Sequence, residues 1–280
     1  MTRLMPATRL QSLAVKFADG DVADGDMVLD LSGLSWLDPL HLVGAASIAQ
    51  LAAARGSRLR LTGLRGNPAG YASRMHLGAI VEHFGGSHDL PVSGRELNRS
   101  DSLLEVTELA TGSDVRQLSG LVHDRVADQD AEIAHALHTA LAEIGANVCE
   151  HSGTVGFMAA QTLPSQGVLR FAVADAGVGL LGTLASQGAE DDRMAVTMAL
   201  SGTSRKQGPG HGTGLPTAVS VVSRLGGQVL LASGSEVTTA NARGRRHAEL
   251  SSGFTGTMFE GWVPVPGARH SSPTLYDGAG

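Results

Sequence analysis

Three short segments hold the residues whose types and spacing could do chemistry. In Glu143-Ile-Gly-Ala-Asn147-Val-Cys-Glu-His151, positions 143, 147 and 151 are four apart, so a helix would project all three from one stripe. A carboxylate and an amide oxygen one turn apart suit a general base beside a hard-metal ligand, and equally a solvated helix face. In Asp175-Ala-Gly177-Val-Gly179, a carboxylate closes an apolar run, and the glycines let backbone approach a polar heterocycle. An ordinary strand-to-loop turn has the same composition. In Gly208-Pro-Gly210-His-Gly212-Thr213-Gly214-Leu215, glycines lead into a helical stretch, where backbone N–H groups form a ready phosphate site. The segment fits neither GxGxxG nor GxxxxGK[ST], which excludes dinucleotide and Walker-type loops and leaves a plain surface loop as the other reading.

These segments need elements to hold them. Alternation over 12–17 and the apolar run 27–31 predict two strands. The Ala-rich stretch 40–55 predicts a helix closed by Gly56, and 59–62 a further strand. That β-α-β order implies parallel strands. Asn67-Pro68-Ala69-Gly70 reads as a turn and 71–84 as one helix, with a connector near 86–98. Helices are expected at 115–126 and 130–150, the latter keeping Ile133, Leu137, Leu141, Ile144 and Val148 on one face. Strands at 155–161 and 168–174 follow. The Gly-rich stretch 177–214 holds one short helix at 191–200, and a helix starts at Leu215 with Pro216 in its first turn. Strands at 228–232 and 257–263 close the fold, and 267–280 reads as a disordered tail.

Composition narrows the function classes. At 280 residues, 42% hydrophobic and 17% charged, the chain can bury a core, and its length favours two domains. No uncharged apolar stretch reaches the roughly 18 residues of a membrane span, and the first residues lack the apolar core of a signal peptide. The single cysteine, Cys149, makes no internal disulfide and reads as a small buried residue. A cytoplasmic location is expected. Residues 1–100 carry 10 Lys+Arg against 9 Asp+Glu, whereas 101–280 carry 11 against 18, or −7. Apart from the short run Arg243–Arg246 there is no basic stripe, so nucleic acid is not an expected partner. Eleven histidines include no HExxH or comparable ligand spacing. A phosphate ligand in the acidic half would need a metal ion or backbone amides against repulsion.

Glu-x3-Asn on a helix, then DxGxG after a strand, then GxGxGL at a helix start, resembles the GHKL ATPase superfamily of histidine-kinase catalytic domains, gyrase B, mismatch-repair ATPases and anti-sigma-factor kinases. Gly226-Gly-Gln-Val-Leu-Leu-Ala-Ser-Gly234 and Gly256-Thr257-Met-Phe259 are similar to that superfamily's closing strands, and the resemblance covers 110–266. It implies a Bergerat-type α/β sandwich binding ATP and Mg²⁺. By that resemblance Glu143 polarises the attacking water or hydroxyl, and Asn147 is the metal ligand. Asp175 accepts from the adenine amino group over a floor of Gly177 and Gly179, and Thr257 adds a hydrogen bond. Gly210, Gly212, Thr213, Gly214 and Leu215 wrap the phosphates. A lid spans 180–211, with Ser204, Arg205 and Lys206 as γ-phosphate contacts or simply a solvated loop. His151 reads as a structural helix-end residue.

Residues 1–98 resemble a STAS domain, the fold of anti-sigma-factor antagonists, through Val28-Leu-Asp-Leu-Ser-Gly-Leu-Ser-Trp-Leu-Asp38 and Arg58-Leu-Arg-Leu. Antagonists carry Asp-Ser-Ser-Gly where this chain has Asp38-Pro39-Leu40-His41, so the phosphoacceptor hydroxyl is gone and a docking role is implied. The expected architecture is therefore α/β (α+β), a STAS-like β-α-β domain before a Bergerat-type ATPase domain. The expected function is a Mg-dependent ATP-binding regulator that hydrolyses ATP or phosphorylates a protein partner: a sigma factor, a STAS protein or another regulator. The alternative is a nucleotide-gated binding switch with little catalysis. A histidine-kinase fragment is a weaker third reading, because His123, His135 and His138 lack a phosphoacceptor context. A homodimer is left open.

Overall fold

The computed structural model describes residues 16–17, 26–92, 103–128, 130–163, 166–203 and 214–265. The chain is a mixed α/β protein built on two sheets. In the first, β1 (Lys16–Phe17), β2 (Met27–Asp30), β3 (Leu59–Thr62) and β4 (Ser87–His88) lie in that order. β2, β3 and β4 are parallel, as the β-α-β order requires, and β1 is antiparallel to β2. The crossover is α1 (Pro39–Ala54), capped by the Asp38 carboxylate with Pro39 in its first turn.

Two local expectations are corrected. Asn67-Pro68-Ala69-Gly70 is not a turn but the start of α2 (Gly66–Arg74), because proline in a first turn forfeits no helical hydrogen bond. The single helix 71–84 is broken at His76, whose φ of 64° separates α2 from α3 (Leu77–His83).

The second sheet has the order β5-β6-β7-β9-β8, every neighbour antiparallel. Its strands are β5 (Leu103–Leu109), β6 (Gly156–Leu163), β7 (Val168–Asp175), β8 (Gln228–Asn241) and β9 (Gly244–Pro264). Side chains alternate between two cores, so each face of the sheet is buried. Met158, Ala160, Phe171, Val173, Leu231 and Phe259 point to one core, covered by α4 (Gly112–Ala127), α5 (Ala131–Asn147) and α8 (Gly214–Arg224). Phe157, Ala159, Ala172, Ala174, Ala232 and Met258 point to the other, which they share with α1.

α1 itself supplies Ala45, Ala46, Ala49 and Ala52 to that shared core. Small residues on helix and sheet alike let the two surfaces approach closely, and α1 packs along β6, β7 and β9. A helix apolar on every side needs cover on every side, which its own small sheet alone does not give. Polar contacts fasten the same seam: the Tyr71 hydroxyl donates to Gln161 Oε1 at 2.8 Å, and Arg55 Nη2 donates to Thr255 Oγ1 at 3.3 Å. Phe84 meets the edge of Phe157 at 5.9 Å between centroids. The expected tail, 267–280, lies outside the described residues. Among the described residues, no helix is long and apolar enough to cross a membrane.

Candidate functional site

α5 is capped by Asp130, whose carboxylate accepts from the N–H groups of Glu132 and Ile133. Its last turns carry Glu143 and Asn147, both half-buried. The helix then passes into a π-helical turn, Val148–Ser152, which Gly153 ends at φ 72°. Position 151 falls in that turn, where the α-helical spacing that put it on the stripe of 143 and 147 no longer holds. π-helical turns are rare and recur at functional sites.

Against these two side chains lies the first residue of α8. A Cβ on Gly214 would stand 3.0 Å from Glu143 Oε2 and 3.0 Å from Asn147 Nδ2. A larger residue there would press on both polar groups, which glycine leaves undisturbed at the start of the helix. Leu215 continues the same wall.

β7 delivers Asp175 to the opposite wall. Its carboxyl is 4% exposed and accepts from the Gly177 N–H at 2.9 Å. Thr257, directly across in the β7–β9 register, also donates a backbone N–H to it. Burial outweighs both hydrogen bonds and raises the pKa from 3.8 to about 6. Gly177 packs against the Ser152 carbonyl with no room for a Cβ, which fastens this loop to the π turn. Gly179, at φ 68°, begins a helix that the sequence does not announce, α6 (Gly179–Leu184).

The cleft between these walls is lined by Asn147, Ser152, Asp175, Gly179, Gly214 and Thr257, with Ile144, Val173, Leu184 and Phe259 among its apolar sides. Its cavity is about 90 Å³, several times the roughly 10–15 Å³ that one water occupies. Segments separated by more than a hundred residues thus meet around one apolar slot with few polar groups, the pattern of a small-molecule site.

Two serines that sequence reasoning missed tie together the segments around the slot. The Ser233 hydroxyl, 2% exposed, accepts from the Leu180 N–H at 2.9 Å and donates to the Gly256 carbonyl at 2.8 Å. It thereby ties the loop of Gly179 to the strand of Thr257. The Ser152 hydroxyl closes the end of the π turn on Thr154. A serine at a strand bulge or after a helix carries no signal of either role.

The helix expected at 191–200 is α7 (Asp192–Leu200), and it is fastened at both ends. Asp192 accepts from the N–H of Ser235 at 2.7 Å, and the Leu200 carbonyl accepts from Arg245 at 2.9 Å. Gly210, Gly212, Thr213, Ser204, Arg205 and Lys206 lie outside the described residues. No cluster of three or more His, Cys, Asp or Glu side chains able to hold a metal occurs among the described residues. What the cleft offers a cation is the neutral amide of Asn147; Glu143, one turn earlier on α5, is not one of the residues lining the cleft and lies against Gly214 at its border. Cys149 is partly buried, and burial raises its thiol pKa. Neither a family model nor a curated protein matches the chain.

Proposed function

We propose that the cleft binds ATP with Mg²⁺ and that the protein is a regulator of the anti-sigma-factor or histidine-kinase-like ATPase type, its second unit a Bergerat-type sandwich. The observation that carries this is the convergence of Asn147, Asp175, Gly179, Gly214 and Thr257 on one slot. Each has a use there. Asp175, desolvated and still able to accept, suits the exocyclic amine of a flat heterocycle. The start of α8 turns backbone N–H groups toward phosphates in a region of net negative charge.

The donor set fits a magnesium ion. Mg²⁺ keeps several waters and needs few protein ligands, so the amide oxygen of Asn147 suffices where the described residues form no cage of carboxylates. When bound, the ion would neutralise phosphate charge. Glu143, one turn before Asn147, is the group positioned to take the proton of an attacking water or of a partner's hydroxyl. Gly214 lies close against both side chains, and Ser233 ties the loop of Gly179 to the strand of Thr257.

On the same reading the first unit is STAS-like and works as a docking module. Asp38, Leu40 and His41 are all buried where α1 starts, so that helix start is closed to a kinase as well as lacking its hydroxyl. A nucleotide-gated switch with little turnover is the second reading. It is favoured by α7, which borders the cleft through Ala199 while its ends are fastened to the β8–β9 hairpin. Phosphate release measured on the intact protein and on Glu143→Ala separates the two. An ATPase or kinase loses turnover in Glu143→Ala and keeps ATP binding. A switch releases no phosphate in either form.

A further inference from the structure

The one basic run of the sequence, 243–246, enters the nucleotide reading only through Arg245, whose guanidinium donates to the Leu200 carbonyl of α7 at 2.9 Å. The run lies on the hairpin formed by the end of β8 and the start of β9, where Glu236 faces Glu249, Thr239 faces Arg246, Ala240 faces Arg245 and Asn241 faces Gly244. The two strands of this ribbon differ sharply. Glu236, Val237, Thr238, Thr239 and Ala240 of β8 are all buried. Every residue from 242 to 249 is exposed. β9 pairs with β7 only over 257–264, so the outer edge of 244–249 has no ladder partner among the described residues.

An unpaired edge presents a row of N–H and C=O groups that accept another strand. Arg245 and Arg246 are consecutive on a strand and therefore flank that row on opposite faces, with Arg243 at the turn. The turn is set by the Arg243 N–H donating to Asn241 Oδ1 at 2.8 Å. Of the nearby carboxylates, Glu236 is buried and occupied by His247 at 2.7 Å, and exposed Glu249 marks the far end of the basic stretch.

We propose that the outer edge of β9 at 244–249 is a docking strand for an extended, acidic segment of a protein partner, whose carboxylates meet Arg243, Arg246 and the N–H groups of Arg245 not given to the Leu200 carbonyl. A second copy of the chain would bring only one carboxylate, Glu249, to the three arginines of 243–249, and charged edges oppose such self-pairing. A nucleic acid would leave the backbone row unused, and the stretch 244–249 holds no Phe, Tyr or Trp on which a base could stack, its one ring, His247, being tied to Glu236 at 2.7 Å. A peptide with carboxylates on both faces uses the backbone row and the guanidinium groups together, as charge-assisted pairs.

The test titrates the full chain with a fluorescent peptide rich in glutamate and valine, read by anisotropy at low and high salt. The same peptide N-methylated at alternate backbone amides, and an oligo-dT strand, are the comparisons. The acidic peptide binds, more weakly at high salt, and about tenfold less well to the double variant Arg243→Glu/Arg246→Glu. N-methylation weakens it similarly, because alternate amides supply the ladder. An unchanged thermal unfolding midpoint shows that the variant is folded, independently of any nucleotide. Peptide binding indifferent to the variant or to N-methylation overturns the proposal. So does binding of oligo-dT alone, or a dimer in sedimentation that the double variant dissolves.

Discussion

Two buried aspartates on the two sides of the second sheet have opposite environments. Asp38 caps α1, with its Oδ1 2.7 Å from His41 Nδ1 and accepting from the His41 N–H. It lies at the start of a helix sealed between two sheets. Asp175 is buried to a similar degree, yet it lines a cavity, and it accepts from the backbone N–H groups of Gly177 and Thr257. A carboxylate sealed among partners is a structural device. On the proposed reading, a carboxylate desolvated by one wall and facing a cavity receives a donor from the ligand.

The largest expected effect separates the two. Asp175→Ala should weaken ATP binding about 100-fold, the loss of a charge-assisted hydrogen bond in a dry slot, with no loss of folding stability at neutral pH. Calorimetric titration beside urea unfolding checks both halves. Asp38→Ala should do the reverse. It removes a helix cap and leaves a buried imidazole unpaired, which costs about 2 kcal/mol in urea unfolding and leaves nucleotide affinity where it was. Should both variants lose stability alike, the distinction between them fails.

A pH profile sharpens the contrast. The folded pKa of Asp175, about 6, lies above the 3.8 of an ordinary carboxyl, so the folded protein holds that proton more tightly than the unfolded chain. Its contribution to stability is complete below the unfolded value and is lost as pH rises through about 6. Nucleotide affinity should run the other way, falling up to about tenfold per pH unit below that value, because the protonated carboxyl accepts poorly. Asp175→Asn should flatten the profile. The smallest effect belongs to the seam between the two units: Tyr71→Phe removes the hydrogen bond to Gln161 and should cost about 1 kcal/mol without altering the cleft.

Much of the site was legible because its chemistry is local. Four-residue spacing put Glu143 and Asn147 together, an apolar run ending in Asp175 marked a strand end, and glycines before Leu215 marked a helix start. What lay beyond reach depends on contacts distant in sequence. The strand Leu103–Leu109 passed unread because its polar residues interrupt the alternation, and it exists through pairing with β6. β8 and β9 run past the limits 228–232 and 257–263 because the Ser and Gly residues there form irregularities in a continuing ladder, near Gly234, and not a loop. The helix at Gly179 was hidden by glycines that the close packing of that loop requires. The burial of α1 was implicit in a stretch apolar all round, but nothing local said that the second sheet would supply the missing cover.

The central claim is that the slot between α5, β7 and α8 takes an adenine nucleotide. Calorimetric titration of the full chain with ATP, in the presence and absence of Mg²⁺ and with GTP as comparison, tests it most directly. ATP should bind one to one, more tightly with the metal and more tightly than GTP, whose ring presents a carbonyl where Asp175 awaits a donor. No heat with either nucleotide, or equal binding of both without regard to the metal, would contradict it.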